Sequence, residues 1–158
     1  MFSRCFFAVF MFFLSLLSSC AIFEETSNYR DINIKMTASR NVNPDFKKKP
    51  TSVQVQVFTL SEKEFFDAQD AIDLFSGEKL KKILDNKKVT LVKTIQLSPN
   101  EEKTIVLDIK ESDRFIAIIA GYRKIDLAEW KKIIDLKRHP VKSIYAFFDE
   151  EKIQISTY

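Results

Sequence analysis

Ile32, Ile34 and Met36 alternate with Asn33, Lys35 and Thr37, the two-residue period of a strand with one buried face. The alternation stops at Ser39. From there to Thr51 the chain holds Asn41, Asn43, Pro44, Pro50 and the run Lys47-Lys48-Lys49, which reads as a long loop between strands. Val53, Val55 and Val57 then alternate with Gln54 and Gln56, predicting a second strand through Leu60. Ser61-Glu62-Lys63-Glu64 has the form of a capping box, so a helix is expected next, with Phe65, Phe66 and Ala68 facing inward. A second helical stretch is expected from about Asp70 to Asp85. Ile72, Phe75, Leu80, Ile83 and Leu84 fit its inner face, and a break falls near Gly77.

The remainder reads as strands. Val89, Leu91, Ile95 and Leu97 share one face, interrupted by Lys93. Ser98-Pro99-Asn100-Glu101 is a turn, and Ile105, Leu107 and Ile109 alternate after it. Phe115 to Tyr122 is almost continuously apolar, as in a central strand buried on both faces. Asp126 to Trp130 suggests one helical turn leading into Ile133 and Ile134. Ile144–Phe148 and Ile153–Ile155 flank Asp149-Glu150-Glu151 as a hairpin. Seven or eight short strands with one helical insertion predict a mainly β chain, folded as a two-layer antiparallel β-sandwich. No internal repeat and no second domain are visible.

The N-terminus follows a different pattern. Arg4 supplies a positive charge, and Phe6 to Leu17 is almost wholly apolar, the length of a signal-peptide core. It falls short of the roughly 20 apolar residues that a membrane-spanning helix needs. The segment ends in Leu17-Ser18-Ser19-Cys20, a lipobox, with small residues where the cleaving peptidase requires them. Residues 1–19 are therefore expected to be removed. Cys20 would carry a diacylglyceryl group through its sulfur, with a further acyl chain on the new amino terminus. Two acyl chains already anchor stably, and three should be effectively permanent. Ala21 follows the cysteine where Asp would favour inner-membrane retention, so outer-membrane sorting is expected. Residues 20–30 read as the lipidated terminus and a tether with an extended reach of at most about 35 Å. Residues 31–158 form the folded domain.

Composition narrows the chemistry. The chain is 46% hydrophobic and 30% charged, which is globular rather than disordered. The formal charge is +3 and Arg4 leaves with the signal, too little to argue for a nucleic-acid partner. Gly77 and Gly121 are the only glycines, so no glycine-rich phosphate loop can be built. Cys5 is lost with the signal and Cys20 would be acylated, leaving no thiol or disulfide. His139 is the sole histidine, so a site with several imidazoles on a metal cannot form. No metal and no cofactor are expected beyond the lipid on Cys20. Glu101-Glu102 and Glu150-Glu151 are adjacent carboxylates that point apart in extended chain, poor acid/base pairs. No nucleophile-elbow signature supports a Ser-His-Asp triad around His139, and no catalytic residue is expected.

The lipobox, Ala38-Ser39-Arg40-Asn41-Val42-Asn43-Pro44-Asp45, Pro50 with Val53–Leu60, Leu97-Ser98-Pro99, Ile118–Arg123 and Trp130-Lys131 occur in one order and spacing. In that order and spacing the chain resembles the type VI secretion outer-membrane lipoprotein family, TssJ/VasD, over roughly Ile34 to Leu136. The resemblance implies a transthyretin-like sandwich facing the periplasm, lipid-anchored in the outer membrane. It also implies binding to the periplasmic C-terminal domain of the inner-membrane protein TssM, and so a part in an envelope-spanning secretion complex. The partner-binding element it implies is the first interstrand loop, here Asn41, Val42, Asn43, Pro44, Asp45, Phe46, Lys47, Lys48, Lys49 and Pro50. Family members often carry Gly in this loop before a basic residue and proline, and Lys47–Lys49 fill that stretch here. Asn100 likewise stands where a Gly often follows the turn proline.

Within the loop, Phe46 is the expected anchor, because interface energy concentrates in buried aromatics. The lysines would form a polar rim that steers association. Trp130 is expected to close one end of the core, and Gly121 to allow close packing or a bulge. The alternatives are an unrelated lipoprotein that binds a ligand or another envelope component, which predicts an enclosed apolar cavity, and a lipid-anchored enzyme, which requires a cleft of convergent polar groups.

Overall fold

A computed structural model describes residues 29–137 and 141–158. The signal peptide, Cys20, most of the tether and His139 lie outside the described residues. Strand β1 (Tyr29–Ala38) begins within the stretch read as tether. It is followed by β2 (Val53–Leu60), three short helices, α1 (Glu64–Asp67), α2 (Ala71–Phe75) and α3 (Gly77–Leu84), then β3 (Val89–Leu97) and β4 (Glu102–Lys110). Next come β5 (Phe115–Gly121), a 3-10 turn (Ile125–Leu127), β6 (Lys131–Asp135), β7 (Ser143–Phe148) and β8 (Ile153–Thr157).

Two four-stranded sheets result, ordered β4-β1-β7-β8 and β3-β2-β5-β6. Every pair is antiparallel except β1 with β7, which run parallel. The expected sandwich with a helical insertion is present. Ile32, Ile34 and Met36 meet Val53, Val55, Val57, Ile116 and Ile118 between the sheets. The helices add a third layer on the outer face of the second sheet. There Phe66, Leu74 and Ile83 cover Phe58, Leu60, Phe115, Ala117 and Ile119. The Phe58 and Phe66 rings lie 4.9 Å apart, tilted, a favourable aromatic geometry. This is why β5 is apolar on both faces.

Four sequence readings need correction here. Val89, Leu91, Ile95 and Leu97 do not share a face. Val57 opposes Lys93 while Phe58 opposes Leu91, so Val92 is an extra residue. The bulge sends Val89 and Leu91 toward the helices and Ile95 and Leu97 between the sheets. The capping box does not form: the helix starts at Glu64 after Lys63, and no side chain caps it. The Ser61 amide is instead committed to the Lys88 carbonyl. In α1 only Phe66 is buried, with Phe65 and Ala68 outward. In α2 the inward residue is Leu74, while Ile72 is 72% exposed.

Strand direction sorts the connections. β1 finishes at Ala38 beside Phe148, and Val53, Leu97 and Gly121 lie at that same end. Residues 39–52, 98–101, 122–130 and 149–152 therefore gather there. Tyr29, where the chain enters the domain, lies beside Lys110 at the opposite end. At about 3.3 Å per residue, β1 sets the two ends roughly 30 Å apart.

Candidate partner-binding site

The loop after β1 has a base and a tip of different character. Val42 is fully buried in the inter-sheet core. Asn43 is 4% exposed and takes a left-handed backbone conformation, φ 48°. It is held on four sides. Its side-chain amide donates to the Ser52 carbonyl at 2.7 Å, and its Oδ1 accepts the Arg123 amide at 2.7 Å. Its own amide donates to the Glu150 carbonyl at 3.2 Å, and its carbonyl accepts the Thr51 hydroxyl at 2.6 Å. Asn43 thus ties the loop to the 122–130 connection through its side chain and to the 149–152 connection through its backbone amide. Arg123 adds a bond from Nε to the Thr51 hydroxyl at 3.1 Å.

The tip is organised by Asp45. Its Oδ1 accepts the amides of Lys47 and Lys49 at 2.8 and 2.9 Å, and its backbone exchanges bonds with Lys48 and Lys49. Asx-type turns of this kind need a short acceptor side chain. Lys48 sits at φ 62°, the conformation a glycine would take without strain. Held this way, Phe46 is 88% exposed and Lys47, Lys48 and Lys49 are exposed around it. Asn41 is exposed, its amide bonded to the Ser39 hydroxyl, and Pro44, Asp45 and Pro50 are half-buried. The exposed part of the expected binding stretch is thus Asn41 and the tip. Val42 and Asn43 are foundation.

The neighbouring turns brace this end. Asn100, at φ 62°, donates its amide to the Ser39 carbonyl. The Glu101 carboxylate accepts the Ser98 amide at 2.7 Å and pairs with Lys103, and the amide and the lysine hold its pKa below the usual carboxylate range. The Tyr122 hydroxyl, buried and therefore raised in pKa, donates to the Lys152 carbonyl at 2.8 Å. Trp130 is half-buried and packs against both cores, with Lys131 over its ring. Gly121 faces Phe75: an added Cβ would sit 3.2 Å from that ring. The sequence reading missed Arg123, Thr51 and Tyr122 as braces. Only their proximity in the fold reveals those roles.

The sequence matches the family described as type VI secretion lipoprotein, VasD, EvfM, TssJ, over residues 30–156. The chain belongs to this family. The T6SS lipoprotein TssJ1 from Pseudomonas aeruginosa has the same fold. It is 21% identical with a TM-score of 0.70, the alignment covering 82% of this chain and 97% of that one. Serratia marcescens Lip, a membrane-bound component of the type VI secretion system, is 16% identical with a TM-score of 0.70, covering 82% and 98%. A chain from a structure of the T6SS protein TssM C-terminal domain from EAEC is 14% identical with a TM-score of 0.65, covering 80% and 97%. No curated protein sequence is similar enough to match. The sandwich is the transthyretin-like one of this family. Membership makes the chain a structural lipoprotein of a secretion machine rather than an enzyme.

Proposed function

We propose that this lipoprotein is anchored in the outer membrane through Cys20, faces the periplasm, and grips the periplasmic C-terminal domain of a TssM-like inner-membrane protein. The grip is the tip Pro44–Pro50. The observation that carries the reading is the placement of Phe46. A phenylalanine 88% exposed on a loop whose base is built into the core is an apolar probe that none of the described residues covers. It stands at the end of the sandwich opposite Tyr29, where the chain arrives from the lipidated terminus. A subunit bridging two membranes needs its membrane attachment and its partner contact at opposite ends. Family membership and the likeness to a chain from the TssM C-terminal domain structure support the choice of partner. No cofactor enters the role, and the only covalent group is the lipid.

The test is co-purification of the full-length lipoprotein from detergent-solubilised membranes, with mass spectrometry. Recovery of a large inner-membrane protein is expected, reduced at least tenfold by Phe46→Ala. Undiminished recovery after Phe46→Ala and after replacement of residues 45–49 by a neutral linker would overturn the reading. Cys20→Ser is expected to abolish palmitate labelling and leave residues 1–19 uncleaved, seen as a larger mass of the protein. Retention of label would remove Cys20 as the anchor.

A further inference from the structure

The end of the sandwich that bears the loop is electrically split. Around Phe46 stand Lys47, Lys48 and Lys49, with Arg40 and Arg123 exposed at the base. Across the same end, the β7–β8 turn presents Asp149, Glu150 and Glu151. These residues, with Glu129 and Lys152, line a shallow groove beside Leu127. Leu127 is 76% exposed on its 3-10 turn, whereas Ile125 of that turn packs into the core. The two halves form one rigid piece. Asn43 bonds to both Arg123 and Glu150, Glu129 bridges to Lys152, and the Tyr122 hydroxyl closes onto the Lys152 carbonyl. Lys124 pairs with Glu151 and Lys132 with Glu129, and Lys152 lines the same groove, so the acid in excess is carried by Asp149 and Glu150.

We infer that the partner is held at two points of opposite charge: an acidic surface against Phe46 and the lysines, and a basic segment with an apolar side chain against Leu127 and the β7–β8 turn. This rests on the reading of the loop tip as the partner grip, and it adds a second contact and an orientation. A single apolar probe ringed by like charge fixes the distance of a partner and leaves its rotation free. A second apolar residue in a field of opposite sign fixes the rotation, because the reversed pose sets like charges together. Like-charge juxtaposition suppresses wrong poses more strongly than matched pairs add affinity. The occupant is therefore a domain whose docking face is itself split, acidic on one side and basic on the other.

The test measures the affinity of the full-length lipoprotein in detergent for the purified periplasmic domain of the TssM-like protein. Low and high salt are compared for Phe46→Ala, Leu127→Ala, Leu127→Gln and Glu150→Lys. Melting curves confirm that each variant folds, and Leu127→Gln serves if Leu127→Ala does not. Leu127→Ala is expected to weaken binding about fivefold at either salt. Glu150→Lys is expected to weaken it about tenfold at low salt and much less at high salt, since exposed charges are screened. Wild-type binding by the Leu127 and Glu150 variants while Phe46→Ala is weakened would overturn the second contact and leave the grip standing. Wild-type binding by all of them would overturn both. Tighter binding by Glu150→Lys would show that the groove meets acid, and would overturn the assigned orientation.

Discussion

Val42 and Phe46 lie in the same loop, four positions apart, and sit at opposite limits of exposure: one fully buried, the other 88% exposed. Val42 and Asn43 serve the fold. The first fills the core, and the second satisfies amide and carbonyl groups on three connections that would otherwise lack partners. From Asp45 to Lys49 the loop satisfies its own backbone and spends no side chain on the core. The division shows how a long loop can be rigid without being buried. Rigidity matters for a grip, because ordering a floppy loop on binding consumes about 0.5–1.5 kcal/mol per immobilised side chain. It also separates two kinds of mutational effect that a shared loop would otherwise mix.

Breaking the base has the largest expected effect. Asn43→Ala leaves the Ser52 carbonyl and the Arg123 amide short of a partner, at about 1–3 kcal/mol each. It also places alanine in the left-handed region. A loss of about 3 kcal/mol should lower the melting temperature by roughly 10 °C; a shift under 2 °C in thermal unfolding would mean the base is not held by Asn43. Stripping the tip comes next. Phe46→Ala should leave the melting temperature unchanged while costing about 2 kcal/mol of binding, near thirtyfold in Kd. Lys48→Gly sharpens the tip with a smaller effect. The left-handed conformation costs lysine about 1–2 kcal/mol, and glycine's extra freedom in the unfolded chain returns about 0.5–1 of that. Unfolding should show a net gain of about 0.5 kcal/mol, and a net loss would argue against the φ of 62°.

The smallest effect is a pH dependence in the turn that braces the base. The folded pKa of Glu101 is depressed by the Ser98 amide and Lys103. Its contribution is therefore fully present above the ordinary carboxylate value and is lost as pH falls through the lowered one. Hydrogen exchange at the Ser98 amide should become less protected on acidification within that window, and Glu101→Gln should flatten the change. Protection that rises toward acid would reverse the assigned sign.

Much of this was legible in the sequence where one face of an element meets the core and the other meets water. β1 and β4 show their alternation plainly, and Phe115–Tyr122 announces a strand covered twice. The misreadings share one cause: a partner layer invisible to local pattern. Gln56, a polar residue alternating with the valines of β2, is nonetheless only 5% exposed, in the register of Phe58 and Leu60, which the helices cover. Val92 bulges out where a run of odd-numbered residues suggested one continuous face. Ser61 looked like a cap, but its amide already belongs to the sheet. The parallel β1–β7 pair joins segments more than a hundred residues apart, a pairing no local periodicity encodes. At the candidate site, Phe46 and the lysines stand out because they are apolar or charged in a polar loop. Asn43 does not, since a buried asparagine and a solvated one look alike in sequence.

In this loop the base serves folding and the tip serves binding. The two roles separate when the melting temperature and the affinity for the partner's periplasmic domain are measured on the same preparations of full-length wild type and Phe46→Ala. Phe46→Ala is expected to keep the wild-type melting temperature while Kd rises about thirtyfold. An unchanged Kd, or a loss of binding matched by a fall in melting temperature, would mean that Phe46 is not the grip.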